Sequence, residues 1–381
     1  MLPKKLQHKL DKRSNDNSLR TLTPQRDLVD FSSNDYLGFA RDKGIYDRAH
    51  EILQKNNLYC NGSSGSRLLS GNHALFAFAE AELAKFYNAA DALIFNSGYD
   101  ANVGFFSAVP QRGDVILYDE LVHASIRDGI QMSLAKAYKF KHNDVQDLEQ
   151  KLRKLSVAMQ VYVVTESVFS MDGDSPNLRK MARICDGEFA HLIVDEAHAA
   201  GVLGRGHGLV EDLALSQRVF ARLVTFGKAM GCHGAAILCD ADLKSFLVNF
   251  ARSLIYTTAL PPHAVATIIA GHEALNGMGG NSTSPVSLLQ DNIQFFKSQL
   301  PVFNLQSLFI TGDSAIQSAI ISGNERVKEV SEKLKLEGFS VLPILSPTVP
   351  AGDERLRFCL HSYNSQEEIK TVLALLAKFV G

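Results

Sequence analysis

The run Arg222-Leu223-Val224-Thr225-Phe226-Gly227-Lys228-Ala229-Met230-Gly231 ends an apolar, strand-like segment on a lysine set between two glycines. A lysine at a strand end, walled by Phe226 and Met230, is partly desolvated, which disfavours its ammonium form and leaves an amine able to form a Schiff base with a carbonyl. Taken alone, the decapeptide reads more readily as a solvated lysine in a glycine turn, and other stretches must decide. A second group, Asp195-Glu196-Ala197-His198, closes the apolar run His191-Leu192-Ile193-Val194. As the acidic box of a nucleotide-driven helicase it would need a phosphate loop ending Gly-Lys-Ser or Gly-Lys-Thr, but the Gly-Lys here is followed by Ala229. His191 and Asp195 stand four apart on a strand, the wrong geometry for helical i, i+4 chelation, which argues against a metal. The remaining reading is a carboxylate beside a cofactor cation, with His198 donating a hydrogen bond alongside.

Asn96-Ser97-Gly98-Tyr99 follows a strand and opens a helix, so its backbone N–H groups suit a phosphate at the positive helix end, or form a plain strand-to-helix turn. His123, in Leu121-Val122-His123-Ala124-Ser125, stands where a histidine usually bonds a helix end; a further role comes only from its company. Lysine, acid, two histidines and a phosphate-type turn together make the inventory of a pyridoxal phosphate site.

These residues are positioned by alternating elements. From about residue 45 to 280, apolar strands are expected at Ala92–Asn96, Val115–Asp119, Val161–Glu166, Leu192–Asp195, Leu223–Phe226 and Ala235–Cys239. Helical faces intervene: Leu75, Ala79, Leu83 and Phe86 share one, and Leu148, Leu152 and Leu155 another. The pattern predicts an α/β domain with a mainly parallel sheet, whose sites lie at the carboxyl ends of the strands. Ser97, His123, Glu166, Asp195, His198 and Lys228 all fall there. Residues 1–44 read as an N-terminal arm, with a helix in 4–20 whose Leu6, Leu10 and Leu19 pack over another surface, and a strand at Leu28–Ser32. Residues 45–283 form the large domain. The run Gly277–Ser284 reads as a linker or exposed loop, and 284–381 as a small α+β domain with strands near Ala319–Ile321 and Arg357–Leu360 and helices at 325–337 and 365–379.

The 381 residues carry a net charge of −2 with both signs interspersed, so no electrostatic footprint for nucleic acid or an anionic membrane is present. Cys60, Cys185, Cys232, Cys239 and Cys359 are scattered without a Cys-x-x-Cys pair and read as buried thiols in a reducing compartment. The N-terminus lacks an apolar core of signal-peptide length, and nowhere do eighteen apolar residues run together. The expectation is a cytoplasmic protein acting on small molecules.

Five stretches resemble the α-oxoamine synthases, fold type I pyridoxal phosphate enzymes that condense an amino acid with an acyl thioester and lose carbon dioxide. They are Phe31–Gly38 (FSSNDYLG), Thr165–Asp174 (TESVFSMDGD), Val194–His198 (VDEAH), Thr225–Lys228 (TFGK) and Ile255–Pro262 (IYTTALPP). The resemblance covers nearly the whole chain. It implies that Lys228 carries the cofactor and serves as base, that Asp195 pairs with the pyridinium nitrogen, that His198 bonds the ring hydroxyl and that His123 stacks on the ring. It further implies phosphate contacts from Gly98, Tyr99, Thr225 and, across a homodimer, Thr257, with Ser170 beside the ring. Leu10–Arg13 with Leu19-Arg20, Ser314–Gln317, and Pro347–Gly352 leading into Arg355–Arg357 match one branch of the family. There Asn34 and Arg357 hold the amino-acid carboxylate, while Arg20 and Thr348 contact the acyl side, the thioester riding on coenzyme A or an acyl carrier protein. Two departures stand out: Phe76 where relatives usually place histidine, and Ala199-Ala200 where a glycine with serine or threonine is common. Both border the family's thioester site.

Overall fold

The computed structural model describes residues 2–22, 27–155, 159–278 and 283–381, so the Gly277–Ser284 run lies partly outside the described residues. The chain forms two compact units, one of Met1–Asn34, Met171–Asp174 and Leu288–Gly381, the other of Asp35–Ser170 and Ser175–Ser287.

In the smaller unit, strand β1 (Val29–Asp30) belongs to the N-terminal segment. The larger unit carries β2 (Asp91–Phe95), β3 (Val115–Asp119), β4 (Lys136–Phe140), β5 (Val161–Glu166), β6 (His191–Asp195), β7 (Ala221–Thr225) and β8 (Ala235–Cys239). These seven form one sheet in the order β2-β8-β7-β6-β5-β3-β4. Only β8 runs against its neighbours, so the expected mainly parallel sheet is present. Its inner strands are apolar on both faces because helices cover both. Leu93, Ile116, Val164, Ile193 and Ile237 pack with Phe105, Phe106 and Ile126 on one face. Leu117, Val163 and Val194 pack with Leu148, Leu178 and Met181 on the other. The strand β4 is absent from the sequence-based expectation. Lys136 and Lys139 are exposed on this sheet edge, and their charge hides the strand pattern while discouraging pairing with another chain.

The smaller unit adds β9 (Ile316–Ile320), β10 (Phe339–Ser340), β11 (Leu342–Ile344) and β12 (Arg355–Cys359). β1 pairs in parallel with β10, and β11-β12-β9 form an antiparallel sheet. The helices Asn324–Leu336 and Gln366–Val380 lie within a residue of expectation, the second capped reciprocally by Ser365 and Glu368. The N-terminal helix is shorter, Lys4–Asn15, and buries none of its residues; Leu6, Leu10 and Leu19 are each nearly half exposed, so the expected packing is not made within this chain. None of the five cysteines is bridged. Cys60 is exposed rather than buried, while burial pushes the Cys185, Cys232 and Cys239 thiols up to about 12. Among the described residues no helix is long and apolar enough to cross a membrane.

Candidate active site

In the larger unit the strand ends converge on one polar network. Lys228 follows β7 in a tight loop that returns along β8, closed by Phe226 N–H to Gly234 O (2.9 Å), Cys232 N–H to Phe226 O (2.7 Å) and Gly231 N–H to Lys228 O (2.9 Å). Gly231 has φ +62°, and a Cβ there would stand 2.2 Å from Ala40 N, so this turn accepts no side chain. Phe226 is fully buried and edge-on to His272, and Lys228 Nζ lies 2.8 Å from His198 Nε2. The other imidazole nitrogen, Nδ1, lies 2.8 Å from the hydroxyl of Tyr36, a residue with no solvent exposure. With Lys228 an ammonium, Nζ donates to Nε2 and Nδ1–H donates to Tyr36.

Asp195 ends β6 and is 5% exposed. Its Oδ1 accepts Ala197 N–H (2.9 Å) and its Oδ2 accepts the Asn102 amide (2.8 Å). Asn102 also donates to Ser125 Oγ (3.0 Å), which stands 2.7 Å from His123 Nδ1. Since Ser125 N–H donates to the same nitrogen (3.2 Å), Nδ1 accepts and a neutral His123 ring carries its hydrogen on Nε2. Desolvation holds His123 below the ordinary histidine value; Asp195 opposes this while Lys228 and Arg127 reinforce it. His123 caps the helix Ala124–Met132, and its backbone N–H donates to Glu166 Oε1 (2.6 Å). Glu166 lies beside Asp195 across the β5–β6 ladder; burial and then Asp195 push its carboxyl well above the usual range, with Lys228 opposing. Asp195 is thus the better supported anion of the two, with two donors against one.

The helix Gly98–Ala108 starts directly after β2 and is capped by Ser97, which accepts Asp100 N–H (3.0 Å). The first-turn N–H groups of Gly98 and Tyr99 have no intrahelical acceptor and face the positive end of the dipole. A Cβ on Gly98 would stand 3.6 Å from the Thr225 side chain, so the missing side chain leaves a recess beside that threonine. Thr225 Oγ1 donates to Gly234 O (3.2 Å), Tyr99 OH donates to Asp128 (2.7 Å), and Ser170 is half-buried beyond β5. Thr257 accepts from the Asn96 amide (3.2 Å), which also donates to Thr258 O (2.6 Å). A recess with free N–H donors, a buried carboxylate and a lysine against an imidazole fit a phosphorylated aldehyde with a basic ring nitrogen.

In the smaller unit Arg357 is 8% exposed on β12, and its guanidinium donates to Asn34 Oδ1 (3.1 Å) and contacts Cys359 Sγ (2.9 Å). Arg20 and Thr348 are exposed and joined by one hydrogen bond of 3.2 Å. Of the two departures, Phe76 is buried under the Arg67 guanidinium, 4.1 Å from the ring centroid, and Ala199 and Ala200 are fully packed. None of the three brings a polar group.

Sequence reasoning assigned no role to Tyr36, Asn102 or Ser125. Asn102 carried a signal: it is a lone polar residue among Ala101, Phe105 and Phe106 on the buried face of its helix. Tyr36 carried none beyond its place in a turn.

The class I and II aminotransferase family matches residues 26–376. The chain is 42% identical over 369 residues to the 8-amino-7-oxononanoate synthase of Emericella nidulans, covering 92% of this chain and 89% of that one. It is 36% identical over 351 residues to the enzyme of the same name from Lysinibacillus sphaericus, covering 91% and 87%. Among solved structures it is similar to a serine palmitoyltransferase from S. paucimobilis with a bound PLP–myriocin aldimine (TM-score 0.88, 26% identity, 99% and 96% covered). It is similar also to the 8-amino-7-oxononanoate synthase of Francisella tularensis (TM-score 0.76, 30% identity, 92% and 97% covered). The chain therefore belongs to the class I and II aminotransferase family, as a fold type I pyridoxal phosphate-dependent acyltransferase of the α-oxoamine synthase group.

Proposed function

We propose that the protein joins L-alanine to a pimeloyl thioester, releasing carbon dioxide and free thiol and giving 8-amino-7-oxononanoate for biotin synthesis. The observation that carries this reading is the 42% identity to a synthase of that name over 92% of the chain. Pyridoxal phosphate, when bound, supplies a protonated ring that withdraws electrons from the amino-acid α-carbon. Asp195, fixed by Asn102 and Ala197, keeps the proton on the ring nitrogen. Lys228 would hold the cofactor through its aldehyde and would be the base within reach of the amino-acid α-proton. His198, set between Tyr36 and Lys228, bonds the ring hydroxyl. His123, anchored through Ser125 and Glu166, would cover the ring. Gly98 and Tyr99 give N–H groups to the phosphate, Thr225 and a partner subunit's threonine at position 257 add hydroxyls, and Ser170 borders the ring. Arg357 and Asn34 hold the substrate carboxylate, with Arg20 and Thr348 on the acyl side, so that the planar guanidinium fixes the carboxylate before its loss. This arrangement makes the active form a homodimer, with an acyl carrier protein as the alternative bearer of the thioester to coenzyme A.

The similarity to serine palmitoyltransferase favours a second reading, L-serine with a long-chain thioester, on weaker identity. A panel of L-alanine, L-serine and glycine against pimeloyl, palmitoyl, acetyl and succinyl thioesters, scored by thiol release, separates the two. Fastest turnover with L-alanine and the pimeloyl donor is expected; preference for L-serine with palmitoyl, or glycine with a short donor, would refute it. Sedimentation should give twice the chain mass, and a fully active monomer would remove Thr257 from the site.

A further inference from the structure

A buried ion pair stands beside the site, used by none of the roles above. Glu196 follows Asp195 with no solvent exposure, and Arg222 on the adjoining strand β7 is 3% exposed. The guanidinium donates to Glu196 Oε2 through Nε (2.8 Å), with Nη2 2.6 Å from the same oxygen, to Tyr87 O through Nη1 (2.6 Å) and to His207 O through Nη2 (2.9 Å). One planar fork thus ties together the end of the helix Ala74–Phe86, the 204–208 turn and the residue after Asp195. Glu196 repeats the pattern. Its Oε1 accepts Val210 N–H (2.9 Å), its N–H donates to Leu223 O (2.7 Å), and its carbonyl accepts Ala199 N–H (3.0 Å) and Ala200 N–H (2.9 Å). Gly208 passes so close, at φ +93°, that a Cβ would stand 2.7 Å from Oε2. The turn pinned in this way carries His198, whose two nitrogens are each 2.8 Å from their partners.

We propose that Arg222 is a positioning residue: through Glu196 it sets the Asp195–Ala200 turn, and so fixes Asp195 and His198 toward the cofactor. The inference rests on the assignment of those two residues to pyridoxal phosphate. A buried carboxylate that loses its cation also loses the hydrogen bond that holds it in place, so the turn it belongs to must shift. A lysine keeps the charge yet cannot reach three acceptors from one plane.

The test compares purified wild-type holoenzyme with Arg222→Lys and with the paired variant Arg222→Leu/Glu196→Leu, which removes both charges together. Folding is read by far-UV circular dichroism, the cofactor environment by the visible absorbance band, and turnover by kcat and KM separately. Expected are folded proteins whose band is shifted and whose kcat is lowered on the order of tenfold to a hundredfold, as for a misplacement of catalytic groups, with KM for the thioester unchanged. Folded variants with the wild-type band and kcat would overturn the inference, as would collapse of both variants, which would make the pair a folding element only. Asp195→Asn is the control. If it leaves the band unmoved, the cofactor assignment itself falls, and the positioning role with it; a moved band there beside an unmoved band in the Arg222 variants sinks the positioning role alone.

Discussion

The polar residues proposed for the cofactor and those proposed for the substrates are built differently. Asp195, His123 and His198 are each held by two or more hydrogen bonds, and Asn102 and Ser125 link the first two into one network. Arg20 and Thr348 share a single bond at the surface. Arg357 lies between, buried, with its guanidinium donating to Asn34 Oδ1 and contacting the Cys359 sulfur. Groups that must present fixed charge to a transition state need their geometry set in advance, whereas groups that select a substrate gain their partner when it binds. On the proposed roles, chemistry falls to the densely bonded network and selectivity to the sparse one, so donor preference could change without disturbing the fold.

The sharpest break in that contrast is Lys228→Ala. Turnover should fall on the order of 10⁴-fold, and intact mass after borohydride reduction should show no cofactor attached; a persisting adduct would contradict the assignment. Next in size is an acid effect on the packing behind Lys228. His272 is buried edge-on to Phe226, donates Nδ1–H to Ile268 O and accepts from Tyr87 OH, and desolvation depresses it from 6.5 to about 4. Because the folded value is the lower one, the unfolded chain takes up the proton first. The stabilisation is complete above pH 6.5 and is lost as pH falls toward 4, by about 3 kcal/mol in all. Thermal midpoints measured from pH 7 to 4.5 should therefore fall less steeply in His272→Gln than in the wild type; parallel curves would refute it. Arg357→Ala should raise KM for the amino acid about tenfold to a hundredfold, the worth of charge-assisted hydrogen bonds, and leave cofactor absorbance intact. The smallest change is expected for Arg20→Ala, whose exposed contact is worth about 1 kcal/mol or less, read as a KM for the thioester raised no more than about fivefold. A larger loss there would erase the distinction between rigid and sparse regions.

The strand ends were legible in the sequence because hydrophobic runs stop abruptly on polar residues. Val115–Asp119, Val161–Glu166 and Ala235–Cys239 match to the residue, and β7 lies two residues earlier at its start and one at its end. That punctuation places Asp195, His198 and Lys228 at strand ends, while their roles come from the set taken together and from the family resemblance. How those residues are supported was less legible: Asn102 stands out as a lone polar residue on a buried helix face, but its meeting with Asp195 and Ser125 is made only by folding. Arg222 was hidden inside an apolar run, where its charge reads as an interruption until Glu196 is seen opposite. Edge strand β4 escaped for the converse reason, since its lysines face solvent and leave no apolar alternation.

One consequence of the antiparallel strand β8 concerns movement. Elsewhere in the sheet a strand end leads into a crossover, but Lys228 stands in a short return closed by three backbone bonds, with no room for a side chain at Gly231. Its main chain is therefore a fixed pivot. Every position the amine visits must be reached by rotating the four methylenes, a sweep of radius about 6 Å. Tethering, release and proton delivery would then be side-chain rotations, fast compared with loop rearrangement, and the amide hydrogens of Phe226, Gly231 and Cys232 should exchange slowly even while the enzyme turns over.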